Sequence, residues 1–435
     1  MAAAEDPSIP SVVPPRREYL AAALIGAAAG ILLCGYELVR SPSNTLYKAA
    51  YGADALPYVM AAVPLAVIAV LYLYGRLLSV LGARRTLIAT TLGCAAALAG
   101  ASLACRAGWR PAAVMLYLLR EAYVVLLIEQ YWSFLNSTLG TATARRLNGP
   151  ICAAGSAGAI LGGLLVRHLA EPVGTASLVL IAAAITAPAA LVSDQAHRRC
   201  GEPRPSPAGA AATDSMGLSL FGRNPLLVLL LGVILLTQGV STFLDVEFQR
   251  MLEVTIPAAD PQTSFSGAFF AWLNAAALTM QLVVTPLLLR FVPIRLVHIL
   301  IPLVHVGTCL LLLGHPSLAT AGAAYLCFKA VDYSTFRAAK EMLYIPLSFD
   351  ERYRAKEVID VFGYRAGKGG ASLAAWGIAA MSLPYAVGAL TAAGLWAVLG
   401  VLLGLRGAGR AAAPPDGGDF RGLVAEATRA TRQGA

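Results

Sequence analysis

The 435-residue chain is 58% hydrophobic and only 13% charged, with a mean hydropathy of +0.68. Soluble domains carry about 25% charged residues, so a water-soluble protein is excluded and an all-α integral membrane protein is expected. The net charge of +9 reflects the bias of Lys and Arg toward cytoplasmic connections rather than a nucleic-acid partner. Residues 1–18 form a polar, Pro-rich cytoplasmic tail that ends near Arg16 and Arg17. No small-residue cleavage site follows the first apolar run, which therefore reads as an anchor.

Twelve apolar segments follow, each near the ~20 residues that a bilayer needs. They span 19–39, 55–78, 84–105, 111–136, 147–168 and 173–193, then 224–246, 264–289, 295–313, 317–345, 356–382 and 385–405. This divides the chain into an N-terminal six-helix half at 19–193, a cytoplasmic linker at 194–223, and a C-terminal six-helix half at 224–405. A small, polar tail at 406–435 reads as disordered. Most Lys and Arg lie in the even-numbered connections and the tails, which puts both termini in the cytoplasm. Six helices, a longer loop and six more is the layout of major-facilitator transporters, whose substrate site lies between the halves. Between the second and third segments, GRLLSVLGARR matches that superfamily's loop signature at Gly75, Gly82 and Arg84, with Ser79 where an acid is usual. The same basic pair, Arg84 and Arg85, would also simply enforce topology.

The densest charge lies from Lys329 to Ala371. At about 100° per residue, Lys329, Asp332, Tyr333, Phe336, Arg337, Lys340 and Tyr344 fall within an arc of roughly 140°. Lys329 and Lys340 stand about 16 Å apart along that face. Asp332 is placed to pair with Lys329 at i+3. In the next segment Asp360, Tyr364, Gly367 and Lys368 share a face, with Arg365 at its edge. A fixed charge at the bilayer centre costs on the order of 2.5–3.5 kcal/mol, so such a set needs a hydrated cavity or partners. Lys329, Arg337, Lys340, Arg365 and Lys368 outnumber Asp332, Glu341 and Asp360, a surplus that suits an anionic ligand carrying phosphates. The alternative is a self-compensated set of ion pairs that only packs helices. GYRAGKGGA, from Gly363, lacks the spacing and the Ser/Thr of a phosphate loop, so an ATPase is rejected. Its glycines fit close helix packing or a partly unwound stretch.

The remaining candidates are spread over three helices. In the fourth segment Glu121, Val125, Glu129, Trp132 and Asn136 follow helical spacing, with Arg120 beside Glu121. These carboxylates suit protons or the cations of the other half, or a purely structural network. Asp245, Glu247 and Arg250 end the seventh segment, either as a gate of ion pairs or as a solvated helix end. Glu37 and Arg40 can pair at i+3. The seven cysteines form no CxxC pair or metal spacing, and the histidines share no motif. Neither a metal site, a cofactor nor an enzyme's catalytic residues are expected.

One family pattern is recognisable. KAVDYSTFRAAKEMLYIPL followed by VIDVFGYRAGKGGA resembles the matching region of the NTT-type ATP/ADP translocases, a relative of the major-facilitator fold. The likeness rests on Lys329, Tyr333, Phe336, Lys340, Met342, Tyr344, Pro346, Gly363, Arg365, Gly367, Lys368 and Gly370, with Trp132, Phe134 and Asn136 in the fourth segment and Gly239, Ser241 and Leu244 in the seventh. It implies nucleotide transport by ATP/ADP exchange, with intramembrane charges holding phosphates. The family's lysine in the glycine-rich helix falls on Lys368. Its first-helix Arg-x-x-Lys-Asp run falls on Arg40, Ser43 and Asn44, so that lysine is replaced. Its fourth-helix glutamate falls on Arg120, next to Glu121. The seventh-helix glutamate falls on Val246, between Asp245 and Glu247, and the lysine after it on Arg250. Three functions follow: a nucleotide transporter working by alternating access, a proton-coupled carrier of another organic anion, or a relative that transports nothing.

Overall fold

The computed structural model describes residues 15–139, 141–200, 218–344, 347, 356 and 358–411. Among them there are helices and short connections and no strand, as required of a backbone that must satisfy its own hydrogen bonds in lipid. Most of the expected tails, at 1–14 and 412–435, and of the 194–223 linker, at 201–217, lies outside the described residues; 15–18 and 406–411 continue α1 and α14.

The first part of the chain forms α1 (Pro15–Tyr51), α2 (Leu56–Arg106), α3 (Pro111–Thr138), α4 (Thr141–Val173) and α5 (Thr175–Cys200). The second forms a short α6 (Leu218–Arg223), then α7 (Pro225–Thr255), α8 (Ala259–Thr279), α9 (Thr285–Phe291), α10 (Ile294–Gly314), α11 (Leu318–Val331), α12 (Arg337–Tyr344), α13 (Tyr364–Ala380) and α14 (Tyr385–Ala411). Nine helical runs among the described residues are long and apolar enough to cross a membrane. One of them, Ala53–Arg106, has 54 residues, about twice what a ~30 Å hydrocarbon core needs at 1.5 Å per residue. It breaks at Gly82, where φ is 75° and ψ is 170°, a conformation open to glycine without strain. Just past the break, Arg84 Nε donates to Asp194 Oδ1 on α5 at 2.7 Å, and Arg198 reaches the other oxygen at 2.6 Å. The acid that Ser79 does not supply locally is thus provided by another helix.

Three wide π-type turns interrupt the second part: Met280–Val284, Asp332–Phe336 and Val358–Gly363. They lie between α8 and α9, between α11 and α12, and immediately before α13. The first two face each other across a 2.9 Å contact between the hydroxyls of Thr285 and Thr335. The glycine-rich stretch is not unwound: Tyr364–Ala380 is regular helix. Close packing is what its glycines provide. A methyl group on Gly367 would stand 2.9 Å from Gln238 Cβ on α7.

Lipid tails are as apolar as leucine, so these helices gain little from burying area and much from close approach. Accordingly, Gly158 and Gly162 of α4 lie directly on the backbone of Gly30 and Cys34 of α1, with no room for a side chain. The buried apolar side chains form two clusters. One comes entirely from the first part of the chain, and the other mainly from the second together with Tyr47, the start of α2 and Tyr117. Contacts between the two parts run mostly through α4 on α8, α2 on α13 and α1 on α8.

Helix α1 extends well beyond the predicted end at 39. Residues 40–50 look like a loop because they are polar, yet Ser41, Ser43, Asn44, Thr45 and Lys48 are buried. Their polar groups turn toward other helices: Ser43 and Asn44 meet Arg120 of α3, and Lys48 meets Gln249 of α7.

Candidate functional site

A cavity of about 370 Å³ lies between the two parts of the chain. Tyr36, Glu37, Arg40 and Asn44 reach it from one face of α1, spaced by helical turns. Arg120 and Glu121 of α3 form the adjoining wall. Opposite them stand Gln238 and Asp245 of α7, Phe270 and Asn274 of α8, Tyr325 and Lys329 of α11, Tyr333 of the second π-type turn, and Lys368 of α13.

The charges in this cavity are connected. The buried Arg120 guanidinium donates to Asn44 Oδ1 at 2.6 Å, to Ser43 Oγ at 3.2 Å and to Glu121 Oε1 at 2.5 Å. It also lies 4.0 Å from the centre of the Tyr117 ring. The second Glu121 oxygen accepts from Lys368 Nζ at 2.9 Å, bridging α3 to α13. Arg40 donates to Glu37 Oε1 at 3.3 Å and stacks 3.7 Å over Phe270. The same glutamate oxygen accepts from Asn274 Nδ2 at 3.0 Å. Glu37 Oε2 and Asp245 Oδ1 are buried without a hydrogen-bond partner among the described residues. Lys329 has no ion pair among them either; its ammonium lies 5.3–5.9 Å from the rings of Tyr333, Phe328 and Tyr325. Rings of this kind hold a cation without fixing an anion beside it.

Six of the residues expected from the sequence to bind substrate line this cavity: Arg40, Arg120, Glu121, Lys329, Tyr333 and Lys368. Others do not. Lys340 Nζ is 2.6 Å from Asp360 Oδ1 and Lys356 Nζ is 2.6 Å from Glu341, so these charges pair within the second part. Arg337 is exposed, and Arg365 does not line the cavity. Asp332 is buried without the predicted Lys329 pair, and its Oδ1 has no partner among the described residues. Downstream of Lys329, the π-type turn at Asp332–Phe336 changes the phase of the helix. One extra residue in a turn rotates everything after it by about 100°. The single charged face drawn from Lys329 to Lys340 therefore becomes two. The side chains of Glu129 and Asn136 lie outside the described residues.

The three residues read as a gate also diverge. Asp245 lines the cavity. Glu247 is buried and accepts from the Tyr385 backbone N–H at 3.1 Å, with Arg250 at 4.0 Å. Arg250 lines a separate crevice of about 710 Å³ with Tyr51, Tyr58 and Trp376.

No pattern in the sequence marks the ties that seal one end of the bundle, where α1 meets α2, α4 meets α5 and α7 meets α8. Lys48 Nζ donates to Gln249 Oε1 at 2.9 Å and to its backbone carbonyl at 3.3 Å. The Ala53 N–H donates to Glu253 at 2.9 Å, Thr175 donates to Asp260 from both N and Oγ1 at 2.7 and 2.6 Å, and Ser264 Oγ donates to the Arg167 carbonyl at 2.8 Å. All four join residues before 200 to residues after 218. A partner 85 to 201 positions away leaves no periodicity to read.

The helical bundle with its polar central cavity is similar over most of its length to solved transporters. The nucleoside transporter NupG superposes with a TM-score of 0.63 at 15% identity, covering 88% of this chain and 98% of that one. An auto-inhibited POT family peptide transporter gives 0.65 at 14%, covering 90% and 96%. The chain is a multi-pass membrane protein with the fold of the major-facilitator transporters. Residues 267–403 match the family described as TLC ATP/ADP transporter. The chain is 27% identical over 215 residues to ADP,ATP carrier protein 1 of Chlamydia trachomatis, covering 43% of this chain and 40% of that carrier. It is 29% identical over 186 residues to the plastidic ATP/ADP-transporter of Solanum tuberosum, covering 37% and 30%. The chain thus spans less than half the length of the curated relatives it matches. The similarity to the ATP/ADP transporter family rests on residues 267–403 and on relatives matched at 27–29% identity.

Proposed function

We propose that this chain is a nucleotide transporter that works by alternating access, in the manner of an ATP/ADP antiporter, and hydrolyses nothing. The observation that carries this reading is the convergence of Arg40, Arg120, Lys329 and Lys368 on one cavity between the two parts of the chain. Phosphate oxygens match that set, with planar guanidinium groups for paired contacts and ammonium groups as point charges. The rings of Tyr36, Phe270, Tyr325 and Tyr333 offer a base surfaces to stack on. The relatives' names, ADP,ATP carrier and ATP/ADP-transporter, supply the cargo of this proposal.

The reading includes twelve passes: the nine apolar runs, with the one broken at Gly82 counted twice, plus the two charged stretches 318–344 and 358–380. Both termini are cytoplasmic, in a bacterial inner membrane or a plastid-type envelope, and the sealed end faces outward. Proteoliposomes preloaded with ADP test the function. Labelled ATP should enter by counterflow, at a rate unaffected by an imposed pH gradient.

A second reading, proton-coupled uptake of another organic anion, draws on Glu37 and Asp245, each with a buried oxygen that lacks a partner among the described residues. Uptake that requires the pH gradient would favour it. Absence of flux for any anion would leave a non-transporting relative.

A further inference from the structure

The charged groups of the cavity are nearly balanced: Arg40, Arg120, Lys329 and Lys368 face Glu37, Glu121 and Asp245. Glu121 joins this set across the two parts of the chain. One of its oxygens is fixed by Arg120, which is itself anchored on Ser43 and Asn44. The other oxygen holds Lys368 at 2.9 Å. The acid is therefore the stationary member of the pair. The ammonium, on a long flexible stem, is the member that can leave.

An alternating-access carrier passes through a state in which both ends are shut and the cavity is dehydrated. A cation with neither a carboxylate nor aromatic rings beside it is strongly disfavoured there, so a carrier whose cations all await cargo can close only around an anion. An internal carboxylate on the same cation removes that requirement. We propose that Glu121 is a built-in counter-anion: it takes the place of cargo phosphate on Lys368, so that the carrier returns without cargo and performs net transport in addition to exchange. Incoming phosphate would displace Glu121 from Lys368, and Glu121 would remain neutralised by Arg120. Lys329, held among rings rather than by a carboxylate, keeps the positive charge that draws the anion in. This inference rests on the nucleotide reading for its cargo and on the geometry alone for its mechanism.

Two measurements test it. In proteoliposomes, wild-type protein should move labelled ATP into vesicles with no internal nucleotide as well as into ADP-loaded ones. In Glu121→Gln the ratio of uptake into loaded vesicles to uptake into unloaded ones should rise about tenfold or more, and Glu121→Asp should keep the wild-type ratio. Wild-type uptake that requires internal nucleotide, or an unchanged ratio in Glu121→Gln, overturns the proposal. The second measurement needs no nucleotide. Spin labels at Tyr51→Cys and Val254→Cys, in a chain without its native cysteines, report the separation of the ends of α1 and α7. Without cargo, Glu121 should give both a short and a long distance population, and Glu121→Gln only one. Identical distributions in the two proteins overturn the proposal. Absence of nucleotide flux in every variant would instead count against the nucleotide reading, with the label distances still deciding the role of Glu121.

Discussion

Two sets of charges in this molecule behave differently. In the cavity, Arg120, Glu121 and Lys368 form a chain that passes from α1 through α3 to α13, and so from one part of the protein to the other. Away from it, Lys340–Asp360, Lys356–Glu341 and Arg84–Asp194–Arg198 close within their own part. In the alternating access proposed above, a pair inside one part keeps its geometry and acts as a strut. A pair that spans the two parts must change whenever they move. The difference teaches that intramembrane charge alone does not mark a transport residue; the location of its partner does.

Four substitutions would break or sharpen this contrast. Arg120→Met removes the hub of the cavity chain and leaves Glu121 and Asn44 facing an apolar stem. A loss of about 3–5 kcal/mol in stability, together with loss of flux, is expected from thermal unfolding in detergent and vesicle uptake. Lys368→Ala should lower flux by roughly 100-fold while membrane insertion and unfolding temperature stay close to wild type, because this ammonium is partly exposed. Comparable flux in that variant would remove Lys368 from the transport path. Lys340→Met should cost about 2 kcal/mol, and the double variant with Asp360→Leu less than the sum of the singles. For both, flux per folded molecule should remain within about twofold of wild type. Arg84→Ala is the mildest, at about 1 kcal/mol or less, because its pair with Asp194 is partly solvated.

Composition made the membrane class and most helix positions legible, because a bilayer imposes long apolar runs on any sequence that crosses it. Lys329 and Lys368 were also legible as cavity residues, since isolated charge in such runs needs water or a partner; Arg40 lies past the predicted end of its run and was marked by the family resemblance. Lys340 was misplaced on the same face because a wide turn changes helical phase without altering residue type. The end of α1 was misread for the opposite reason: Ser43, Asn44 and Lys48 are as polar as a loop, yet they lie buried against distant helices. Asp245 looked like part of a gate with Glu247 and Arg250, although successive positions on a helix point to different sides.

The seam at the sealed end has a consequence of its own. Lys48 is held there by the amide oxygen and the backbone carbonyl of Gln249, both uncharged, instead of by a carboxylate. Mobile ions weaken attraction between opposite charges far more than they weaken a buried contact with a neutral oxygen. This clasp should therefore loosen at the same rate in dilute buffer and in concentrated brine.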